Sequence, residues 1–380
     1  MTEATTILKG RVLCYALFDL GDELHLGEAE RLLTGPRDGA PAQAPRRFRL
    51  SREEGQTLRM KDPPLDVDLG RCAIELHGGL GRCEGQTWVR LFDHGSASVR
   101  VELAIPPGTS LERLATVTRE LQRSASIQAE AQAALDLLLP RIRPALEGVA
   151  AWDELETYVV VFAEELSGSP RAEELLEREA PALWRLLVGE PGKRPSPAEL
   201  EEMRGQRFSY LDDDLALIGW ECAFVLEPDG TRDVPDVLEF ARAQLVGLYS
   251  YDRQMDRELS RIYDEIEAER GARALMWSPF GRLARRVQER WIDFTEFTDR
   301  IENSVKVVGD LYLARVFRGA LERYRVGEWE ASVRRKQAQI AQVYAMLKAD
   351  IEHRRSLTLE AMIVLLIVFE IGMALLERAR

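Results

Sequence analysis

An α+β fold is predicted: an α/β-type N-terminal domain, then a long antiparallel helical hairpin or coiled coil, then one C-terminal transmembrane helix. Three features of the 380-residue chain lead there. Short runs of β-branched and aromatic residues, punctuated by Pro and Gly, fill the first part. Apolar residues at alternating steps of three and four follow. A nearly unbroken apolar segment comes last. The domains expected are 1–228, 229–356 and 357–376.

Composition narrows the class. Apolar residues make up 46% and charged residues 30%, which suits packed cores and excludes a disordered chain. The net charge of −13 argues against a nucleic-acid binder. Four cysteines exclude a disulfide scaffold and fit a reducing compartment. The start, Met1 to Thr6, has neither the basic and apolar regions of a secretory signal nor an Arg-rich transit peptide. The first domain is therefore expected in the cytoplasm.

The elements follow in order. Arg11–Asp19 reads as a strand, and His25–Leu33 as a short helix. Residues 34–70 read as a long loop with one strand near Phe48. Strands are expected at Cys72–Leu76, Thr87–Asp93 and Ser98–Leu103. The last two flank His94-Gly95, a tight hairpin that sets Val99, Val101 and Leu103 on one face. Thr109 or Ser110 caps a helix to about Arg123, and a second covers Ile127 to Leu139. Thr157–Ala163 is a buried strand and Arg171–Val188 a helix. Ser196 and Pro197 open a short helix. Leu215–Leu226 reads as one strand after Asp212, Asp213 and Asp214, which suit a strand-entry turn better than a cation cage.

Three long helices should follow Pro228-Asp229-Gly230. Their seams run Leu238 to Ile266, Leu283 to Tyr312, and Trp329 to Ile351, with a heptad-like spacing. Polar residues interrupt these seams. Asp252 shares the register of Leu248 and Met255, and Lys306, Asp310 and Arg315 lie in or near the next seam. Some of them are expected to form a buried ion-pair network that fixes helix register, the alternative being a polar site inside the bundle. The third helix has no breaker before Leu357–Leu376, where about 20 residues span roughly 30 Å, the thickness of a bilayer core. Arg354 and Arg355 flank it on the expected cytoplasmic side. Residues 281–356 carry a net positive charge, which anionic lipid would favour. Glu360 falls near the interface. Glu370 falls mid-span, where a carboxyl costs about 2.5–3.5 kcal/mol and is expected to be protonated, or to face another helix, rather than to face lipid.

No motif carries chemistry. Cys72, His77, Cys83 and His94 lack zinc-ligand spacing. The Gly78–Gly85 patch is neither phosphate-binding signature. G-x-S-x-G is absent, and Cys14 and Cys222 sit in apolar contexts. No catalytic, cofactor or metal residue is assigned.

Asp236–Tyr251 (DVLEFARAQLVGLYSY), Glu302–Leu321 (ENSVKVVGDLYLARVFRGAL), Glu328–Lys336 (EWEASVRRK) and Leu359–Ile371 (LEAMIVLLIVFEI) carry a resemblance. This part, about residues 210–376, resembles the domain-of-unknown-function family that contains the mitochondrial "required for meiotic nuclear division" proteins. Leu91-Phe92-Asp93-His94-Gly95 is a looser match near the start. The resemblance implies a soluble α/β domain, a helical hairpin and a terminal inner-membrane helix, in a bacterial relative without a transit peptide. It implies no catalytic set. The function expected is a scaffold or adaptor anchored in the cytoplasmic membrane. It would be without enzymatic activity or cofactor, would self-associate, and would bind a protein partner. Two alternatives are a soluble enzyme or ligand-binding protein whose last helix is core, and a ribosome- or RNA-associated factor.

Overall fold

The computed structural model describes residues 5–34, 44–50, 62–76, 81–148, 155–270, 281, 284–285, 287–288 and 310–378. The chain forms two compact units, Met1–Leu248 with Arg300–Gly327, and Tyr249–Asp299 with Glu328–Arg380.

The first unit is built on a mixed sheet of 10 strands. Its main strands are β1 (Thr6–Asp19), β4 (Leu65–Leu76), β5 (Gly81–Leu91), β6 (Ser96–Ala104) and β9 (Glu156–Leu166). Toward one edge lie β10 (Arg207–Phe208), β11 (Leu215–Ile218) and β12 (Cys222–Leu226), and at the other β3 (Arg46–Arg47). The order is β10-β11-β12-β9-β1-β6-β5-β4-β3, with β7 (Thr109–Ser110) on β1. Every pairing is antiparallel except β12 on β9. A second, small sheet joins β2 (Glu23–Leu24) to β8 (Leu146–Glu147).

The turn of the β5–β6 hairpin falls at Asp93 to Gly95, as the sequence predicts. Gly95 has φ +77, and a Cβ there would lie 2.0 Å from the Gly21 carbonyl oxygen, so only glycine fits. Two sequence expectations are corrected. β4 begins at Leu65, inside the stretch read as a loop to residue 70, because Leu65 to Gly70 pair with β5. Leu215–Leu226 is two antiparallel strands, not one, because Gly219-Trp220-Glu221 turns the chain and pairs Ile218 with Ala223. Periodicity hides this turn, since both strands are apolar throughout.

The two faces of the sheet differ. On one, Val99, Val101 and Leu103 of β6 join Val12, Cys14, Val159, Val161, Phe224 and Leu217 in an apolar surface. It is covered by α1 (Leu26–Thr34), α2 (Leu111–Gln122), α3 (Ala125–Ile142), α4 (Ala172–Val188) and α5 (Pro197–Gly205). Ser110, Ser124 and Ser196 cap α2, α3 and α5 through their hydroxyls. The other face carries Ser98, Arg100 and Glu102 from the alternate positions of β6, together with Arg90 and Tyr15. These residues are also buried, under the N-terminal half of α6 (Asp233–Arg270).

Further along come α7 (Leu311–Arg323) and α8 (Val326–Arg378), a single helix of 53 residues. In the second unit, Met255, Leu259, Ile262 and Ile266 of α6, and Val333, Ile340, Val343 and Leu347 of α8, are buried, as their seam spacing predicts. Most of the second predicted seam, residues 289–309, lies outside the described residues. The end of α8 is long and apolar enough to cross a membrane, and its most apolar stretch has no buried residue.

Candidate functional site

The buried polar face beneath α6 is where charge concentrates. Asp236, Glu239 and Arg242 recur at steps of three along one side of α6, and Arg232 stands one residue before its start. The strands below present Arg11, Tyr15, Asp66, Arg90, Arg100 and Glu102. Arg90, only 4% exposed, is the hub. Its Nε and Nη2 donate to the two Asp66 oxygens at 2.6 and 2.9 Å. Its Nη1 donates to Asp236 Oδ1 at 2.9 Å and Glu239 Oε2 at 2.8 Å. Arg100 Nη1 lies 3.5 Å from Asp236 and 3.6 Å from Glu239. Glu102 accepts from Arg232 Nη2 at 2.8 Å and from Arg11 at 3.3 Å, and its second oxygen meets Arg232 Nη1. The Arg90 guanidinium carbon also stands 4.2 Å from the centre of the Phe48 ring.

The electrostatics follow from burial set against these pairs. Burial pushes the Glu239 and Asp236 carboxyls above their ordinary values, and Arg90 and Arg100 only partly offset it. Burial acts on Glu102 too, but the hydrogen bond from Arg232 and the charge of Arg100 outweigh it and hold that carboxyl low. For Arg90 burial opposes the charge, yet Glu239, Asp236 and Asp66 prevail and keep it ionised. Matched charges of this kind bind α6 to the sheet in one register. They contribute less stability than an apolar interface of equal area, because each ion must first leave water.

Arg242 differs. It is 2% exposed, and its guanidinium carbon lies 4.1 Å from the Tyr324 ring centre, 4.5 Å from Tyr158 and 5.5 Å from Trp220. Its Nε and Nη2 have no hydrogen-bond partner among the described residues. Burial pushes the Tyr324 hydroxyl up to about 12 against the pull of the Arg242 charge. A ring face returns about 0.5–2 kcal/mol to a cation, while desolvating an ion costs several.

A triad-like set also emerges. Ser96 Oγ lies 2.8 Å from His94 Nε2, and His94 Nδ1 lies 3.4 Å from Asp93 Oδ1. Ser96 is 1% exposed and His94 6%, so no substrate reaches them, and the three lock the β5–β6 turn. Burial would raise Asp93, but the bond from His94 and its charge hold it low. Burial pushes the Cys14 thiol up to about 12 and raises Cys72 as well, so neither is poised as a thiolate, and Cys72 and Cys83 pack, partly buried, on the apolar core. His77 lies outside the described residues. Asp214 accepts the N–H groups of Tyr210 and Leu211 at 2.7 and 3.0 Å, as a turn residue. Among the described residues no group of three or more His, Cys, Asp or Glu converges as metal ligands would. A cleft of about 30 Å³ between α4, α5 and β11, with Arg323 on its wall, is far below ligand-pocket size.

The polar seam residues fall in several places. Asp252 pairs with Lys336 at 2.8 Å and accepts from Ser332 at 2.8 Å, joining α6 to α8 within the second unit. Lys336 had no place in the sequence-derived set. Asp310 is the N-cap of α7, accepting from Tyr312 and Leu313. Arg315 lies 5.8 Å from the Tyr312 ring centre. Lys306 lies outside the described residues. Arg354 pairs with Asp350 at 2.9 Å, and Arg355, Glu360 and Glu370 are exposed on α8. Sequence reasoning missed the network under α6, because its residues come from strands and a helix more than a hundred positions apart.

The family model for "Uncharacterized protein MJ0711, N-terminal domain" matches residues 9–233. "Uncharacterized protein MJ0711" of Methanocaldococcus jannaschii is 25% identical over 178 residues, which are 46% of this chain and 53% of that protein. The chain thus spans about half the length of that relative. No solved structure matches the chain. The matched region covers the sheet except the first residues of β1, together with its apolar-side helices, and by it the chain belongs to the family of the MJ0711 N-terminal domain.

Proposed function

We propose that the protein is a membrane-anchored, self-associating cytoplasmic scaffold or adaptor without catalytic activity. The observation that carries this reading is the exposure of the apolar end of α8. Leu365, Leu366, Val368 and Phe369 are all more than half exposed, and no described residue packs over them. In water such a surface is unfavourable, at about 25 cal/mol per Å². Within a bilayer it becomes the preferred state. The reading in which this helix is core within one soluble chain has no such support. The sheet domain then presents its surface to a protein partner, and the helices of the second unit act as a hairpin or coiled coil that promotes association. Arg354 and Arg355 mark the cytoplasmic flank, beside anionic lipid. The kinship with the meiotic-division proteins and a bacterial source belong to the same proposal. They rest mainly on residues beyond the matched 9–233.

The test is partition. The full chain and a chain ending at Ser356 are expressed, and membranes are washed at alkaline pH. The full chain is expected to stay in the pellet and the shorter one to be soluble and folded. A full chain that leaves with the supernatant would refute the anchor.

A further inference from the structure

We propose that Arg242 and its aromatic walls form an oxyanion site, which receives a carboxylate or phosphate group from the side of Trp220. Every other arginine named on this face of the sheet meets a carboxylate: Arg90 and Arg100 meet Asp236 and Glu239, and Arg11 and Arg232 meet Glu102. Arg242 meets none among the described residues. Its unpartnered Nε and Nη2 form one edge of the guanidinium plane, the edge that engages a carboxylate or phosphate through two parallel hydrogen bonds.

The surroundings favour such a ligand. Tyr158 and Tyr324 meet at 77° with ring centres 5.5 Å apart, so the cation sits in the corner between them. Ring faces stabilise a cation, but they do not satisfy its in-plane donors. The buried Tyr324 hydroxyl accepts from Tyr158 and Arg242, and its own O–H is a further donor in the same corner. Trp220, on the β11–β12 turn, is the exposed wall at 40%, and entry is from there. An arginine kept buried, charged and unpaired lowers stability unless a partner repays it, and buried groups of this kind mark binding sites. The site does not depend on the membrane anchor.

The test uses the full chain and its melting temperature in sodium phosphate or sodium acetate, with chloride holding ionic strength constant. Phosphate also stabilises proteins by exclusion from their surface, so the readout is the difference between wild type and Arg242→Met. Wild type is expected to show a saturable rise in Tm. Arg242→Met is expected to show none, and in chloride to melt at or above wild type, since it lacks the unpaired ion. A response to phosphate alone assigns a phosphoryl ligand, and one to acetate alone a carboxylate. A wild type that responds no more than Arg242→Met overturns the proposal and leaves Arg242 as packing between rings. Should Arg242→Met fail to fold, tryptophan fluorescence decides. Titration of wild type with the same salts should change it, and Trp220→Phe should abolish the change. Fluorescence that does not move in wild type counts against the site.

Discussion

Single carboxylates under α6 titrate in opposite directions, and this gives a signed prediction. Glu102 is held below its ordinary value, so the unfolded chain binds the extra proton. Its contribution is full above the ordinary carboxylate range and is lost as pH falls through the lowered value. Glu239 is raised, so the folded chain keeps the proton and stability declines as pH climbs from the ordinary value to the raised one. Melting followed from about pH 3 to pH 7 separates the two. Glu102→Gln should melt lower at neutral pH with a shallower acid loss. Glu239→Gln should remove a decline with rising pH. If both variants keep the wild-type slope, these carboxyls do not govern the acid limb.

At the scale of elements, ion pairs as well as apolar residues join α6 to the sheet. Arg90 bridges Asp66 on β4 to Asp236 and Glu239 on α6. Arg90→Met should therefore leave three carboxylates without their main cation. Removing one partner of a buried pair costs about 3–5 kcal/mol, which urea unfolding in mild detergent would read as a lower midpoint. A loss below about 1 kcal/mol would mean that water already reaches the network. The alternation of β6 illustrates the same contrast. Val99, Val101 and Leu103 announce a buried face, and by the usual rule Ser98, Arg100 and Glu102 announce a wet one. That second face is dry because α6 closes over it.

For the molecule as a whole, an exposed apolar helix and a charge-balanced sheet interface serve different ends. If the anchor self-associates as proposed, Glu370 is the polar contact between spans. Glu370→Leu should then shift the mass distribution in detergent toward smaller species, measured by light scattering during size-exclusion chromatography. An unaltered distribution would remove Glu370 from the contact.

By itself the sequence determined most of the element order, the apolar face of the sheet, the Ser196 cap and one at Thr109 or Ser110, the turn at His94-Gly95 and the apolar run that ends α8. These are local properties, written in spacing of two or 3.6 residues and in the few residue types that cap or turn a chain. The break at Gly219-Trp220-Glu221 was hidden because a fully buried hairpin is apolar along its whole length. Only the tertiary structure decided that Arg90 meets Asp236 and Glu239, that Asp252 meets Lys336, and that Arg242 is left among Tyr158, Trp220 and Tyr324. Charged residues carry no periodic mark of burial. Whether an arginine ends in water, in an ion pair or against bare rings depends on which distant element closes over it.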